Sequence, residues 1–431
     1  MKSSNQTIFF AVVLSLFASF ILTVQMAGCD GFSRSGSEAG LNLAEMASPA
    51  SANSQSPRLS QDVSGNPLLS WIETKGQFSV LKYSTLAQGQ WSPSREVARG
   101  NDWVVNGADT PSIMQFSENL MAAHWLVANP AAPFAYDIFV SHSLDNGKSW
   151  SKPLTPHTDG TATEHGFVNL YKSMGDDLYG VVWLDGRSAA KSAPAGRGHS
   201  MPGVALRSAV VGLDGSVHEQ KVVDHLVCDC CPTALTQGLQ GPIVAYRNRD
   251  KTEQRDIYYT QLINGQWSEP SSVGFDDWHI SGCPVNGPAI SSVENTVAIA
   301  WFTAAGGRKS IRLAVSLDGG QTFGAATEID HGDVIGRVSL AIDGSRQITV
   351  SWLTVSATAE ATEIQVAVYA LNDQILTQVT EESIVLQTKK PNGIPIIASL
   401  AKGAGVLAWT GGSVRSPKVN VYSWGGGLIN E

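Results

Sequence analysis

Residues 225–235 read "HLVCDCCPTAL" and hold three of the chain's five cysteines, Cys228, Cys230 and Cys231. A fourth, Cys283, stands in "DDWHISGCPVNGP", and the fifth is Cys29. Thiols this close can do three kinds of chemistry. They can oxidise to disulfides, and four cysteines allow three pairings that sequence does not choose between. A bridge between the neighbours Cys230 and Cys231 needs a strained ring. They can ligate a soft metal, copper(I) or zinc, with His225 and His279 as further ligands. Cys-x-Cys-Cys is not a zinc-finger spacing, because ligands so close point at one ion only with unusual backbone; low-coordinate copper(I) tolerates that better. Or one of them can be a reactive thiol. All three readings stay open at this stage.

A second set of residues carries charge. Glu73, then Asp185 and Arg187 of "LDGR", then Arg247, Arg249 and Asp250 of "RNRD" each follow a short apolar strand that ends in an aromatic residue. Alone, each loop reads equally well as a solvated hairpin. Gathered at one rim with the cysteines, they are candidates for a binding or catalytic site.

What must position them is a repeat. "PLLSW", "MAAHW", "YGVVW", "PIVAY", "VAIAW", "ITVSW" and "GVLAW" end at Trp71, Trp125, Trp183, Tyr246, Trp301, Trp352 and Trp409, 51 to 63 residues apart. In "TVAIAWF" both alternate faces are apolar or small, as in a strand covered on both sides. A strand led by Pro or Gly precedes each copy, and a third strand, a turn and an outer strand follow. Four short antiparallel strands per unit describe a β-propeller blade. The last copy stops after its third strand, "KVNVYS", so residues near 38 to 50 are expected to supply its outer strand and close the ring. The expectation is an all-β propeller of seven four-stranded blades, with six as the alternative.

Two turns, "SLDNGKSW" and "SLDGGQTF", match the Asp-box pattern Ser-x-Asp-x-Gly-x-Thr-Trp, with Ser149 and Phe323 as departures. Asp145 and Asp318 are expected to accept N–H bonds within the turn, and Gly147 and Gly320 to permit positive φ. With these turns the chain resembles the sialidase-like, BNR-repeat propellers over nearly its whole mature length. The resemblance implies an active face opposite the Asp-box turns. That is the face of the inter-blade links and of the loops after each aromatic strand, where "CDCC", Cys283 and the charged loops fall. It also implies three arginines for a substrate carboxylate, a tyrosine nucleophile with a glutamate partner, and an aspartate acid/base. Arg58 in "SPRLS" stands nearest the first arginine, without the flanking aromatic residue and trailing proline. Arg187, Arg247 and Arg249 could complete the cluster and Asp185 could serve as the acid. No nucleophilic tyrosine can be placed, since Tyr246 replaces a core tryptophan. Binding of a glycan, a protein partner or a soft metal is therefore expected over hydrolysis; an exo-sialidase-like glycan hydrolase is the alternative.

A net charge of −9 with no basic stripe argues against nucleic acid. Residues 8–24 form an apolar run behind Lys2, and Ala27-Gly28-Cys29 matches a bacterial lipobox. The expected organisation is a lipoprotein signal peptide over 1–28, acylation (palmitate) at Cys29, a Ser/Ala/Gly-rich tether over 29–56 and one propeller over 57–426. The expected address is the bacterial cell envelope, facing the periplasm or exterior, where disulfides persist.

Overall fold

The computed structural model describes residues 40–175, 177–190, 203–356, 361–372, 375–386, 392–400 and 403–425. Cys29 and the apolar run before it lie outside the described residues. Among those described, no helix is long and apolar enough to cross a membrane.

The chain is a seven-bladed β-propeller. The second strand of each blade is the apolar strand read from the sequence: Pro67–Lys75, Met121–Ala128, Leu178–Asp185, Pro242–Arg247, Thr296–Thr303, Ile348–Val355 and Gly405–Ser413. Innermost strands begin at Ser54, Ser112, His165, Ala234, Ala289, Val334 and Asn392. Blade 7 takes Ala44–Met46 as its outer strand, antiparallel to Ser416–Trp424. The ring is thus closed by the N-terminal segment, and the propeller takes in residues assigned above to the tether. Ser54–Ser56 belong to the first innermost strand.

Outer strands are irregular where proline falls. In blade 1 the outer strand is split into Gln90–Trp91 and Arg95–Gly100 around Pro93, and in blade 4 into Gln266–Trp267 and Ser271–Ser272 around Pro270. In blade 2 it shrinks to a bridge between Val140 and Leu154, beside Pro153. A residue without an N–H cannot continue a ladder.

The aromatic positions form the packing between blades. Trp71, Trp183, Trp301, Trp352 and Tyr246 are among the largest fully buried side chains. Trp301, for example, packs with Ile243, Ala245 and Ile257 of the preceding blade. A buried indole N–H needs an acceptor. Trp71 donates to Glu73 at 3.0 Å, Trp183 to Asp185 at 2.7 Å, Trp301 to Asp276 at 2.7 Å and Trp352 to Asp330 at 2.6 Å. Acids beside aromatic strands are therefore first of all core acceptors.

Both turns read as Asp boxes have one geometry. Asp145 Oδ1 accepts from the N–H groups of Lys148 and Ser149, and Asp318 Oδ1 from those of Gln321 and Thr322. Gly147 takes φ +73°, and a Cβ there would strike the Tyr83 hydroxyl.

Candidate functional site on the link face

The link from blade 3 to blade 4 spans residues 228–233, and the next link carries Cys283. The two run over one face and touch. A Cβ on Gly287 would lie 1.8 Å from the Pro232 carbonyl oxygen, so only glycine passes there. Cys230 and Cys283 are joined as a disulfide with Cα atoms 6.0 Å apart, 53 residues apart in sequence. Cys228 and Cys231 remain free and buried, with sulfurs 2.8 Å apart. Cys228 Sγ lies 3.9 Å from Cys230 Sγ and receives a hydrogen bond from Arg255 Nη1 at 3.3 Å. The Cys231 hydrogen bond holds the Cys228 thiol below its ordinary value against burial, helped by the Cys230 N–H, Arg247 and Arg255. Burial and the same neighbour push Cys231 up. The two thiols form one coupled pair, of which Cys228, beside Arg255, is the more acidic.

His225 and His279 do not join the sulfurs. Both are exposed, and His279 lies against Thr252 and Asp277.

The four arginines expected to share one carboxylate have four different sets of partners. Arg247 is fully buried and donates to the carbonyls of Asn286, Arg255 and Phe302 at 2.6–2.8 Å, with its guanidinium 4.8 Å from the Trp278 ring centre. It has no free edge for a ligand and is a structural tie between blades 4 and 5. Arg249 grips Glu253 through Nε and Nη2, and Glu253 also takes Arg255. Arg187 pairs with Asp185 at 2.7 Å through both Nε and Nη2. Burial opposes ionisation of Asp185, but Arg187 and Trp183 outweigh it and hold the carboxyl below its ordinary value. An acid held ionised and fully bonded is a poor proton donor, which counts against the catalytic role expected of Asp185. Glu73 is likewise spent, on Trp71, Lys82 and the Ser51 N–H. Asp250 caps its own turn through the N–H groups of Thr252 and Gln254.

Arg58 alone of the four reaches the propeller axis. Its Nη2 donates to Asn169 at 2.7 Å, and Asn169 donates to Thr233 at 2.7 Å, which ties blades 1, 3 and 4 together. On the link side Arg58 lines an axial cavity of about 170 Å³ with Ser56, Thr110 and Thr233; a larger axial cavity of about 450 Å³, with Gln61, Lys172 and Gln237, lies among the far ends of the innermost strands. The backbone that aims it is strained. Ser56, Phe167 and Arg337 take φ near +55° beside bulges in the innermost strands of blades 1, 3 and 6.

Sequence reasoning missed two groups on this face. Asp109, on the link into blade 2, is buried, 3.4 Å from the Tyr136 hydroxyl. Burial raises its carboxyl to about 7, against the Phe167 N–H, Tyr136 and Arg58. The second group is a stacked pair, His157 and His165, with ring centres 3.8 Å apart and planes 2° apart, held between Asp137 and Asp159. Burial, then its histidine neighbour, lowers His157 to about 4. Asp109 and His157 sit as single residues in irregular links and His165 opens an innermost strand, where no period or motif marks them; "HGF" and "GADT" carry no signal of their own.

No family model and no curated protein matches the chain. Solved structures do resemble it. An α-L-arabinanase of Penicillium chrysogenum with arabinobiose is 14% identical over 75% of this chain and 95% of its own, TM-score 0.44. A Hadza microbial sialidase is 16% identical over 73% and 65%, TM-score 0.40. A polysaccharide lyase, an ulvan lyase, is 13% identical over 76% and 80%, TM-score 0.41. By name these neighbours act on glycans, and at this identity nothing of their activity carries over to this chain.

Proposed function

We propose that this protein is an exported, lipid-anchored propeller whose link face binds a soft metal ion, copper(I) above all, through Cys228 and Cys231. The observation that supports it is the pair itself: two adjacent, buried, unbridged thiols with the Arg255 guanidinium on one sulfur. Two thiolates and one copper(I) leave one negative charge, which the guanidinium offsets where water cannot. Zinc in a closed site asks for four ligands. Here Cys230 and Cys283 are consumed by their own bond and both neighbouring histidines face solvent. Thiolates select copper(I), which accepts low coordination. Metal–sulfur bonds are about 2.3 Å long, so the sulfurs must part to roughly 4 Å on binding. The test is anaerobic titration of the full chain in detergent with copper(I) against a chromophoric chelator. One equivalent should bind, and Cys228→Ser and Cys231→Ser should each lose it. Equal binding by the folded variants, or a Cys228–Cys231 disulfide in the untreated protein, sinks the proposal.

Anchoring rests on Ala27-Gly28-Cys29 after the apolar run. Cys29→Ser should accumulate as uncleaved precursor; cleavage at another bond in the unaltered protein, without lipid, contradicts it.

A separate observation favours a second reading, glycan binding or cleavage at the axis. Arg58 is a cation on the axis, and beside it burial raises the Asp109 carboxyl to about 7, so near neutral pH part of it holds a proton that a glycosidic oxygen could receive. Turnover of acidic oligosaccharides that Asp109→Asn abolishes would support this reading. No binding or turnover across such a panel would remove it.

A further inference from the structure

We propose that the Cys230–Cys283 bond gates the copper site: an external dithiol that reduces it adds Cys230 to Cys228 and Cys231, and a two-sulfur site becomes a tighter three-sulfur one. The gate rests on the copper reading above and regulates that same site. Cys228, Cys230 and Cys231 place their three sulfurs within 4.8 Å of one another, with those of Cys228 and Cys230 3.9 Å apart. A trigonal ion with metal–sulfur bonds of about 2.3 Å has sulfur–sulfur edges of about 4 Å. The Cys228–Cys230 edge already has that length, and the 2.8 Å edge between Cys228 and Cys231 must open on binding.

Charge favours the third thiolate. Three thiolates and one copper(I) sum to −2, and two guanidiniums near the sulfurs have no acid to neutralise them. Arg247 is buried, gives its hydrogen bonds to carbonyls, and acts on both Cys228 and Cys231. Arg337, on the innermost strand of blade 6, has Cys231 as its charged neighbour. Among the described residues neither arginine forms an ion pair with a carboxylate. Arg255, which touches Cys228, divides its charge with Glu253 and Asp229. Two thiolates on copper(I) cancel half of the positive surplus and a third cancels the rest, where an uncompensated buried charge is costly.

Access has one direction. Cys283 is exposed and Cys230 partly so, while Cys228 and Cys231 are buried. A thiolate of the dithiol attacks Cys283 Sγ, the Cys230–Cys283 bond breaks, and Cys230 departs as a thiolate beside Cys228. The second thiol of the dithiol then displaces Cys283 from the mixed disulfide. The dithiol leaves as a disulfide, and its two electrons remain on Cys230 and Cys283. Of its two protons, Cys283 takes one and water takes the other, since Cys230 stays deprotonated on copper.

The experiment compares the full chain in detergent before and after reduction by a dithiol that is then removed anaerobically, with thiols counted to show that one bond has opened. Copper(I) affinity is read against a chromophoric chelator, and X-ray absorption counts the sulfurs on the ion. The oxidised chain should hold copper through two sulfurs. The reduced chain should hold it through three, on the order of 10²-fold more tightly, as an added ligand tethered to the same chain does. Cys283→Ser should match the reduced chain with or without dithiol, and Cys230→Ser should match the oxidised one. Two sulfurs and equal affinity in both states overturn this inference and leave the two-sulfur reading standing. No copper on either form overturns both.

Discussion

At the residue scale, the charged side chains of the link face divide by what their polar atoms already hold. Arg247 is committed to three carbonyls, and Arg247→Ala leaves those acceptors buried and empty. It should cost about 3–5 kcal/mol in denaturant unfolding, the range for breaking a buried charged network. A loss under 1 kcal/mol would show that the three bonds are not what holds blades 4 and 5 together there. Asp109 gives a prediction in pH. Its folded pKa is raised to about 7, against an ordinary 3.8. Between those values the native state holds a proton that the unfolded state has released, so this group lowers stability as pH climbs from about 4 to 7. Asp109→Asn should therefore gain stability relative to the parent at pH 8 compared with pH 4, by up to a few kcal/mol. Parallel stability–pH curves for the two proteins would contradict it. Of these roles the sequence shows little. An arginine one residue after a core strand looks the same whether it faces a ligand or, as Arg247 does, three carbonyls. Asp109 gains its environment from Tyr136 of its own blade and from Arg58 and Phe167 of the blades on either side, and the histidine pair from blade 2, the link after it and blade 3.

At the element scale, legibility was much higher, for physical reasons. A strand covered on both faces must be apolar throughout, and a core aromatic in each blade imposes a period, so Trp71 through Trp409 announce the blades. Asp145 and Asp318 act within their own turns, so local sequence suffices to see them. The strained bulges were invisible, because Ser56, Phe167 and Arg337 are not the residue types that normally mark positive φ. The closing strand was deduced from a missing partner, and it yields a test. Leu41 and Ala50 flank Ala44–Met46 and are buried against blades 6, 7 and 1. Leu41→Ala should lose about 2–5 kcal/mol, as buried leucines do. An unchanged melting curve would mean that this segment does not carry the closure.

At the scale of the whole molecule, the links between blades 3, 4 and 5 are where chain topology does chemistry. Consecutive blades are neighbours, so adjacent links run side by side, and cysteines on them meet. That much follows from order along the chain; which sulfur bonds which depends on side-chain direction, and the structure chooses Cys230 with Cys283. Cys283→Ser should lower stability by about 2–4 kcal/mol in the non-reduced protein. It should change little once reductant is present, and an equal loss in both conditions would point to packing instead. Leaving Cys228 and Cys231 unbridged inside an otherwise oxidised link is the feature on which the functional reading depends.

The most direct measurement of that feature is the intact mass, under native conditions, of the full chain extracted from envelopes of copper-supplemented cells in detergent without reductant. The account predicts a lipidated chain with one disulfide and one copper ion, and loss of the copper in Cys231→Ser. A chain carrying two disulfides and no copper would contradict it.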